Sequence, residues 1–236
     1  MITASLATYK PRTKEIVWDA VESLKGVDYI FLNVNTIPAL TKEEVQHIRD
    51  KASKYDNLIL SFVKEDLGDL AKFIPLTNGW LESGTTHLIC DDDLIYGEEY
   101  PKICEKLIKE KGCSLSFGGK VLKKKNRYKD FRTSFDTWIH AFKGGEETYI
   151  DLPLTAVTSL DPGMLKNVEL NLEFKNKGDM LYSLWCREKG VKILSPKFGT
   201  EYFKYNEKMG NTETIWDTMK TEGEKSQAKI LNKYFV

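Results

Sequence analysis

The first 93 residues alternate between short apolar runs and segments with a helical period, and this alternation constrains the fold more than any other feature. Four runs are apolar on both faces, as expected for buried strands: residues 2–8, 29–34, 57–62 and 86–90. Helical patterns lie between them, and one opens with a capping box formed by Thr41 and Glu44. Strands of this kind, separated by helices, build parallel sheets from βαβ units. We therefore predict an α/β, Rossmann-like fold, with a mostly parallel central sheet flanked by helices in a single domain.

The pattern becomes less regular after the fourth run. Helices are predicted at residues 98–111 and 179–188. The second has Asp179 as its N-cap and Gly190 just past its end. Between these helices, residues 118–153 are predicted to be irregular, and they are rich in aromatic and basic side chains.

The composition narrows the environment in which the chain works. It has 35 basic and 35 acidic side chains, so its overall charge does not indicate a polyanionic partner. No signal peptide is recognisable, and no apolar run reaches the ~20 residues needed to cross a bilayer. The four cysteines show neither a CxxC pair nor zinc-ligand spacing, which predicts buried free thiols. We expect a cytoplasmic protein with no membrane span.

Asp91, Asp92 and Asp93 directly follow the fourth apolar run and form the strongest local signal of chemistry. Three adjacent carboxylates repel one another, so the cluster costs stability unless a cation is present. Mg²⁺ and Mn²⁺ prefer carboxylate oxygens and use few protein ligands alongside substrate phosphates. Because ligands bind at the carboxyl ends of strands in an open α/β sheet, we predict a Mn²⁺ or Mg²⁺ that bridges a diphosphate here. A solvated acidic turn that caps the next helix is the alternative interpretation.

Three segments together resemble a known family. Residues 86–96 contain an apolar strand, three aspartates, an apolar pair and a tyrosine. Residues 65–72 are similar to a D-x-G-P-x-x-K segment, with Asp69 in place of the proline, and residues 7–12 end the first strand with Thr-Tyr-Lys-Pro-Arg. These segments resemble the GT-A glycosyltransferases of the family 2 type, which carry a DxD motif after a strand. The resemblance implies a GT-A fold and metal-dependent transfer of a sugar from a nucleotide diphosphate sugar, by family habit a UDP-sugar.

The resemblance also implies roles for individual residues. It places Asp91 and Asp92 near the ribose and diphosphate, and it places the metal on Asp91 and Asp93. The other residues that it places around the donor nucleotide are Thr8, Tyr9, Arg12, Asp66 and Lys72. It makes Asp179 the catalytic base that deprotonates an acceptor hydroxyl. Residues 1–93 would then bind the nucleotide sugar, and residues 94–236 would bind the acceptor and end in a helical C-terminal tail.

A basic segment at residues 120–132 indicates what the acceptor could be. It holds seven cations against one acidic side chain, Asp130, with aromatic side chains interleaved. Cations contact phosphates and aromatic faces stack on bases, so this mixture suits a polyanion. The residues predicted to bind the acceptor are Lys124, Arg127, Tyr128 and Arg132. The acceptor is expected to be a glycan, a small molecule, or a hydroxymethylated base in DNA as used by some bacteriophage enzymes; a solvated hairpin with ordinary lysines is the alternative.

The sheet and the acidic cluster are also compatible with classes of function other than glycosyl transfer. A nucleotidyltransferase, or a non-catalytic protein that binds sugar nucleotides, would keep the same sheet and acidic cluster. The first strand is not followed by the Gly-rich, Arg- and Lys-bearing loop that sugar nucleotidyltransferases use, and this disfavours a nucleotidyltransferase. G-x-S-x-G, G-x-G-x-x-G and P-loop motifs are absent, so a serine hydrolase, a dinucleotide-binding enzyme and a P-loop enzyme find no support.

Overall fold

The computed structural model describes residues 1–125, 127–209 and 215–236, and a sheet of eight strands lies at its centre. The strands, in chain order, are β1 (Ile2–Tyr9), β2 (Tyr29–Asn35), β3 (Leu58–Val63), β4 (Thr86–Asp91), β5 (Leu94–Tyr96), β6 (Ser114–Ser116), β7 (Gly119–Leu122), β8 (Phe135–Ile139), β9 (Thr148–Ile150), β10 (Leu152–Pro153), β11 (Val157–Leu160), β12 (Ile193–Ser195) and β13 (Phe203–Tyr205). The α-helices are α1 (Ile16–Ser23), α2 (Lys42–Ala52), α3 (Ile74–Thr77), α4 (Tyr100–Lys111), α5 (Gly178–Lys189) and α6 (Ile215–Tyr234).

The large sheet has the order β3-β2-β1-β4-β11-β6-β12-β9. Its first four strands are parallel, whereas β11 runs antiparallel between β4 and β6. Tyr9 of β1 pairs with Asn35 of β2, and Ala7 of β1 pairs with Asp91 of β4. The carboxyl ends of these three strands therefore meet at one edge of the sheet, where the acidic cluster begins.

Burial of the central strands explains why this sheet forms. Leu6, Leu32 and Leu88, one on each of three adjacent strands, have no exposed surface. Such strands, apolar on both faces, are stable only when helices cover the sheet. The helix α2 begins with the predicted capping box, in which Thr41 accepts from the Glu44 amide at 3.2 Å and Glu44 accepts from the Thr41 amide at 2.8 Å. The predicted fold class is confirmed: a single α/β domain with a mostly parallel, helix-flanked, Rossmann-like sheet.

The prediction for residues 118–153 was wrong. This segment contains β7, β8, β9 and β10, and three of them form a second sheet in the order β10-β7-β8. Gly119 pairs with both Pro153 and Ile139, so the pairing joins residues far apart in the chain. Strands of two to five residues carry too few positions to show a period, and only their partners define them.

Three further features of the fold bear on the sequence predictions. The helix α5 begins one residue earlier than predicted, with Lys177 at the N-cap position and Asp179 inside its first turn. All four cysteines are buried free thiols, in agreement with the prediction. No helix within the described ranges combines the length and the apolar character needed to cross a bilayer.

Candidate functional site

A cavity of about 420 Å³ opens where the carboxyl ends of β1, β2 and β4 meet, a volume within the usual range for small-molecule sites. Its lining comes from both parts of the chain. Residues from the first part include Thr8, Tyr9, Arg12, Asn35, Asp66, Asp69, Lys72, Asp91, Asp92 and Asp93. Those from the second part include Lys120, Phe131, Leu152, Leu154, Thr155, Asn176, Lys177, Asp179 and Gln227. The structure thus brings together the residues predicted for the donor, the metal and the catalytic base.

Asp92 is fixed by two contacts inside the protein. The hydroxyl of Thr8 donates to its Oδ2 at 2.5 Å, and Arg12 donates to its Oδ1. The Asp92 residue is only 3% exposed, and burial raises its pKa while the Arg12 charge opposes that rise. With one oxygen given to each neighbour, Asp92 ties the loop after β1 to the end of β4 rather than facing a ligand.

Asp91 is paired with a buried lysine. Lys72 lies in the 3₁₀ helix Gly68–Phe73 and is 2% exposed, and its Nζ donates to Asp91 Oδ1 at 2.6 Å. A buried ammonium group is costly without a partner, so this pair keeps the charge of Lys72 inside the fold. The Asp91 side chain remains 39% exposed toward the cavity.

Asp93 is the least neutralised carboxylate of the three. Arg12 Nη1 lies 3.2 Å from Asp93 Oδ2, but the same nitrogen also forms an ion pair with Asp92. Burial, together with the negative charges of Asp91 and Asp92, raises the pKa of Asp93 from 3.8 to about 7. A cation in the cavity would relieve this repulsion.

The acidic cluster fits a divalent metal only in part. Within the described ranges, no three His, Cys, Asp or Glu side chains are placed to hold a metal ion by themselves. Asp91 and Asp93 offer carboxylate oxygens, whereas both oxygens of Asp92 are already used. One or two carboxylates are what a Mg²⁺ ion needs when substrate phosphates and water complete its octahedron. Asp91 and Asp93 would therefore hold the metal together with a phosphate-bearing substrate.

Three polar atoms at the cavity wall are buried and have no hydrogen-bond partner: Arg12 Nε, Asn35 Oδ1 and Asp69 Oδ1. The amide of Asn35 donates to the backbone oxygens of Thr8 at 3.3 Å and Gly68 at 3.1 Å, which leaves its own oxygen unused. Asp69 accepts from the Gly178 amide through Oδ2 at 2.8 Å, and burial raises its pKa to about 6. Unpaired buried groups are costly, and four further unmatched atoms of the described residues lie away from the cavity, on Asn33, Tyr100, Ser159 and Ser195, so these atoms by themselves do not identify a ligand.

Asn35 and Asp69 also line the cavity, and neither was predicted as a site residue. A polar residue that ends an apolar strand at the sheet's carboxyl edge is the signal that could have identified Asn35. For Asp69 only the fold shows the role, because its partner is Gly178, 109 positions away. The predicted Asp66 lines the same cavity and pairs with Lys175.

Asp179 is oriented by a loop from the large sheet. Its Oδ1 accepts from the Thr155 amide at 2.8 Å and from the Thr155 hydroxyl at 2.7 Å. These two bonds join the start of α5 to the segment between β10 and β11. The other oxygen, Oδ2, takes part in neither bond, and the residue lines the cavity.

The four residues predicted for the acceptor do not line the cavity. Lys124, Arg127 and Arg132 are exposed, whereas Tyr128 is 5% exposed, with its hydroxyl donating to the Lys123 oxygen at 2.8 Å. The ring of Tyr128 is thereby packed in the protein instead of offering a face to a base. From the same basic segment, Lys120 and Phe131 reach the cavity.

Comparison with known proteins gave matches only among solved structures; no family model and no curated protein matches the chain. One similar structure is described as a 4-diphosphocytidyl-2C-methyl-D-erythritolsynthase from Anaerococcus prevotii DSM 20548, with 12% identity, a TM-score of 0.48, and 100% of this chain and 96% of that chain covered. Another is described as the inositol-1-phosphate CTP transferase from T. maritima, with 14% identity and a TM-score of 0.47. The match covers 94% of this chain and 96% of that chain.

These comparisons correct the predicted activity. One is described as a synthase of a diphosphocytidyl compound and the other as a CTP transferase, so the predicted glycosyltransferase activity is wrong. The physical reason lies in the motif itself. A carboxylate cluster at the end of a strand binds a metal and a nucleotide's phosphates, whichever bond of the nucleotide is then broken. The three aspartates therefore could not distinguish glycosyl transfer from nucleotidyl transfer. No finding tests the predicted UDP-sugar or hydroxymethylated DNA as a partner.

Proposed function

We propose that this chain is a nucleotidyltransferase, which binds a nucleoside triphosphate in the cavity and transfers its nucleotidyl group to an acceptor. The observation that carries the proposal is a cavity at the carboxyl edge of the sheet, where Asp91 and Asp93 present carboxylate oxygens next to the buried cations Arg12 and Lys72. These carboxylates suit a metal that accompanies the phosphates of a nucleotide.

The charge of the cavity supports a metal–nucleotide complex over a bare nucleotide. Among the described lining residues there are four cations and six aspartates. A triphosphate is itself strongly negative, so this excess of carboxylates would repel it. A divalent cation on Asp91 and Asp93 would neutralise charge on the phosphates. We therefore expect nucleotide binding to require Mg²⁺ or Mn²⁺.

The chemistry divides between the two sides of the cavity. An oxygen of the acceptor attacks the α-phosphorus, the new P–O bond forms, and the bond to the β-phosphate breaks to release pyrophosphate. Buried Arg12 and Lys72 supply positive charge behind the carboxylates. Where the attacking group is a hydroxyl, Asp179 accepts its proton, because Thr155 orients this carboxylate toward the cavity. In this proposal residues 1–93 hold the nucleotide and later residues hold the acceptor.

The proposal is tested first by nucleotide binding. Calorimetric titrations of CTP, UTP, ATP and GTP are compared with and without Mg²⁺, starting with CTP because the two similar structures are described with CTP or a diphosphocytidyl product. Asp93→Asn should weaken the Mg²⁺-dependent affinity at least about tenfold, as expected for a lost ligand of a shared metal. Asp56→Asn, an exposed residue before β3 at the opposite end of the sheet, is the matched control and should bind like the wild type.

Turnover separates an enzyme from a non-catalytic nucleotide-binding protein. Pyrophosphate release is measured with the bound nucleotide and a panel of phosphorylated and hydroxyl-bearing acceptors. Release that depends on one acceptor and falls sharply in Asp93→Asn supports nucleotidyl transfer. Tight binding with no release in any mixture would favour the non-catalytic alternative, and no binding of any nucleotide would refute the proposal.

A further inference from the structure

Lys120 occupies an unusual position on the cavity wall. It is the second residue of β7, and it is only 7% exposed. Its Nζ lies over three aromatic rings, 4.8 Å from the centre of Phe131, 5.1 Å from Phe135 and 5.5 Å from Trp138. These rings hold the ammonium group in place but do not neutralise its charge.

The charge of Lys120 is unmatched within the described part of the chain. Arg12 and Lys72 are within ion-pair distance of the carboxylates of the acidic cluster, whereas no ion pair or hydrogen bond of the Lys120 ammonium is found there. Burial lowers the pKa of Lys120, and the charge of Asp179 opposes this without forming an ion pair. A buried cation left in this condition is stabilised when a ligand supplies an anion.

The position of Lys120 separates it from the acidic cluster. Lys120 belongs to the three-stranded sheet, where it pairs with Leu152 and lies over Phe131, whereas the aspartates lie at the end of β4 of the large sheet. A phosphate group suits a lysine, which acts as a compact point charge. We propose that Lys120 binds a phosphate group of the second substrate, at a site distinct from the one for the nucleotide; this rests on the proposed function.

The test measures binding of inorganic phosphate to the full chain by calorimetry, alone and with saturating Mg²⁺–CTP. The expected result is that phosphate binds in both conditions, and that Lys120→Met, which keeps the length of the side chain, weakens binding at least about tenfold. Lys120→Arg should bind phosphate more tightly than Lys120→Met because it keeps the charge, although the larger guanidinium fits the enclosed position less well. Lys102→Met, with a side chain 72% exposed on α4, is the control and should not change phosphate binding.

Each other outcome has a defined meaning. Equal phosphate binding by Lys120→Met and the wild type would overturn the proposal. The three aromatic rings would then only pack around the lysine side chain. Displacement of phosphate by CTP would also overturn it, since Lys120 would belong to the nucleotide site. Failure of CTP to bind would refute the proposed function alone, because the measurement without nucleotide still decides the role of Lys120.

A second measurement needs no variant and applies if Lys120→Met does not fold. Amines of the wild-type protein are labelled by reductive methylation, and the extent at each lysine is read by mass spectrometry. Phosphate should protect Lys120 and leave Lys102 unchanged. Unchanged labelling of Lys120 at saturating phosphate would overturn the proposal.

Discussion

At the scale of single residues, the polar groups buried near the sheet differ in whether the protein itself satisfies them. Asp92 and His87 have all of their hydrogen-bonding atoms matched, so they stabilise the fold. Asn35 and Asp69 each keep one unmatched oxygen, and both line the cavity. An unmatched buried group costs about 1–3 kcal/mol, so these two oxygens lower the stability of the fold while the atoms of Asp92 and His87 do not.

His87 gives a prediction at this scale. It is fully buried in β4, Thr3 Oγ1 lies 2.8 Å from its Nδ1, and Ser5 Oγ lies 2.9 Å from its Nε2. Burial lowers its pKa to about 3, so between pH 6.5 and 4 the unfolded chain takes up a proton that the folded chain does not. The free energy of unfolding should fall across this range as the pH decreases, by up to about 3 kcal/mol from this group.

The measurement compares variants by urea unfolding at several pH values. His87→Gln can still bond to both hydroxyls but does not titrate, so its stability should change less between pH 6.5 and 4 than that of the wild type. His47→Gln, at an exposed position on α2, should keep the wild-type dependence. An unchanged pH dependence in His87→Gln would contradict this account.

At the scale of elements, the start of α5 joins three segments around the cavity. The Gly178 amide donates to Asp69 in the 3₁₀ helix, and Asp179 accepts from Thr155 in the loop before β11. The absence of a side chain at Gly178 permits this approach. A Cβ there would lie 2.7 Å from Asp69 Oδ2 and 3.1 Å from a ring carbon of Phe73.

Gly178→Ala tests this junction. The methyl group must displace Asp69 or the buried Phe73 ring, so we expect a loss of about 1–3 kcal/mol in the free energy of unfolding, together with weaker nucleotide binding. Gly26→Ala is the matched control, because no atom lies within 4 Å of the Cβ that it adds, and its stability should match the wild type. A Gly178→Ala protein as stable as the wild type would show that the junction accommodates a side chain.

At the scale of the whole molecule, the C-terminal helix holds the basic segment against the domain. Asn232 of α6 accepts from the Tyr128 amide at 2.7 Å and donates to the Tyr128 oxygen at 2.8 Å. Gln227 of the same helix also lines the cavity, as does Phe131 of the basic segment. The C-terminal helix α6 thereby helps to position the side of the cavity that carries Lys120.

Asn232→Ala should loosen this wall without unfolding the sheet. Loss of both bonds to Tyr128 should speed amide hydrogen exchange at residues 127–135 by about tenfold, while exchange in β1 and β4 stays unchanged, because local opening is governed by local contacts. Lys229→Ala, on the exposed face of the same helix, is the control. Equal acceleration in β1 would mean that the helix stabilises the domain as a whole.

The sequence by itself determined the features that depend on local patterns. The apolar runs before residue 93 predicted β1 to β4, and Thr41 with Glu44 predicted the start of α2. Both signals are local, because hydrophobic periodicity and helix capping involve residues only a few positions apart. The same runs predicted that Asp91 and Asp93 would lie at the carboxyl edge of the sheet. The parallel order of the strands follows from the connecting helices.

Only the tertiary structure decided which residues share the cavity. Pairing of Gly119 with Pro153 and Ile139 creates the second sheet that carries Lys120, and the Gly178 amide reaches Asp69 from 109 positions away. Such contacts depend on the geometry of the whole fold, and no local period encodes them. The choice between glycosyl and nucleotidyl transfer was beyond the sequence for a related reason, since both reactions use carboxylates at a strand end and differ in what the rest of the cavity binds.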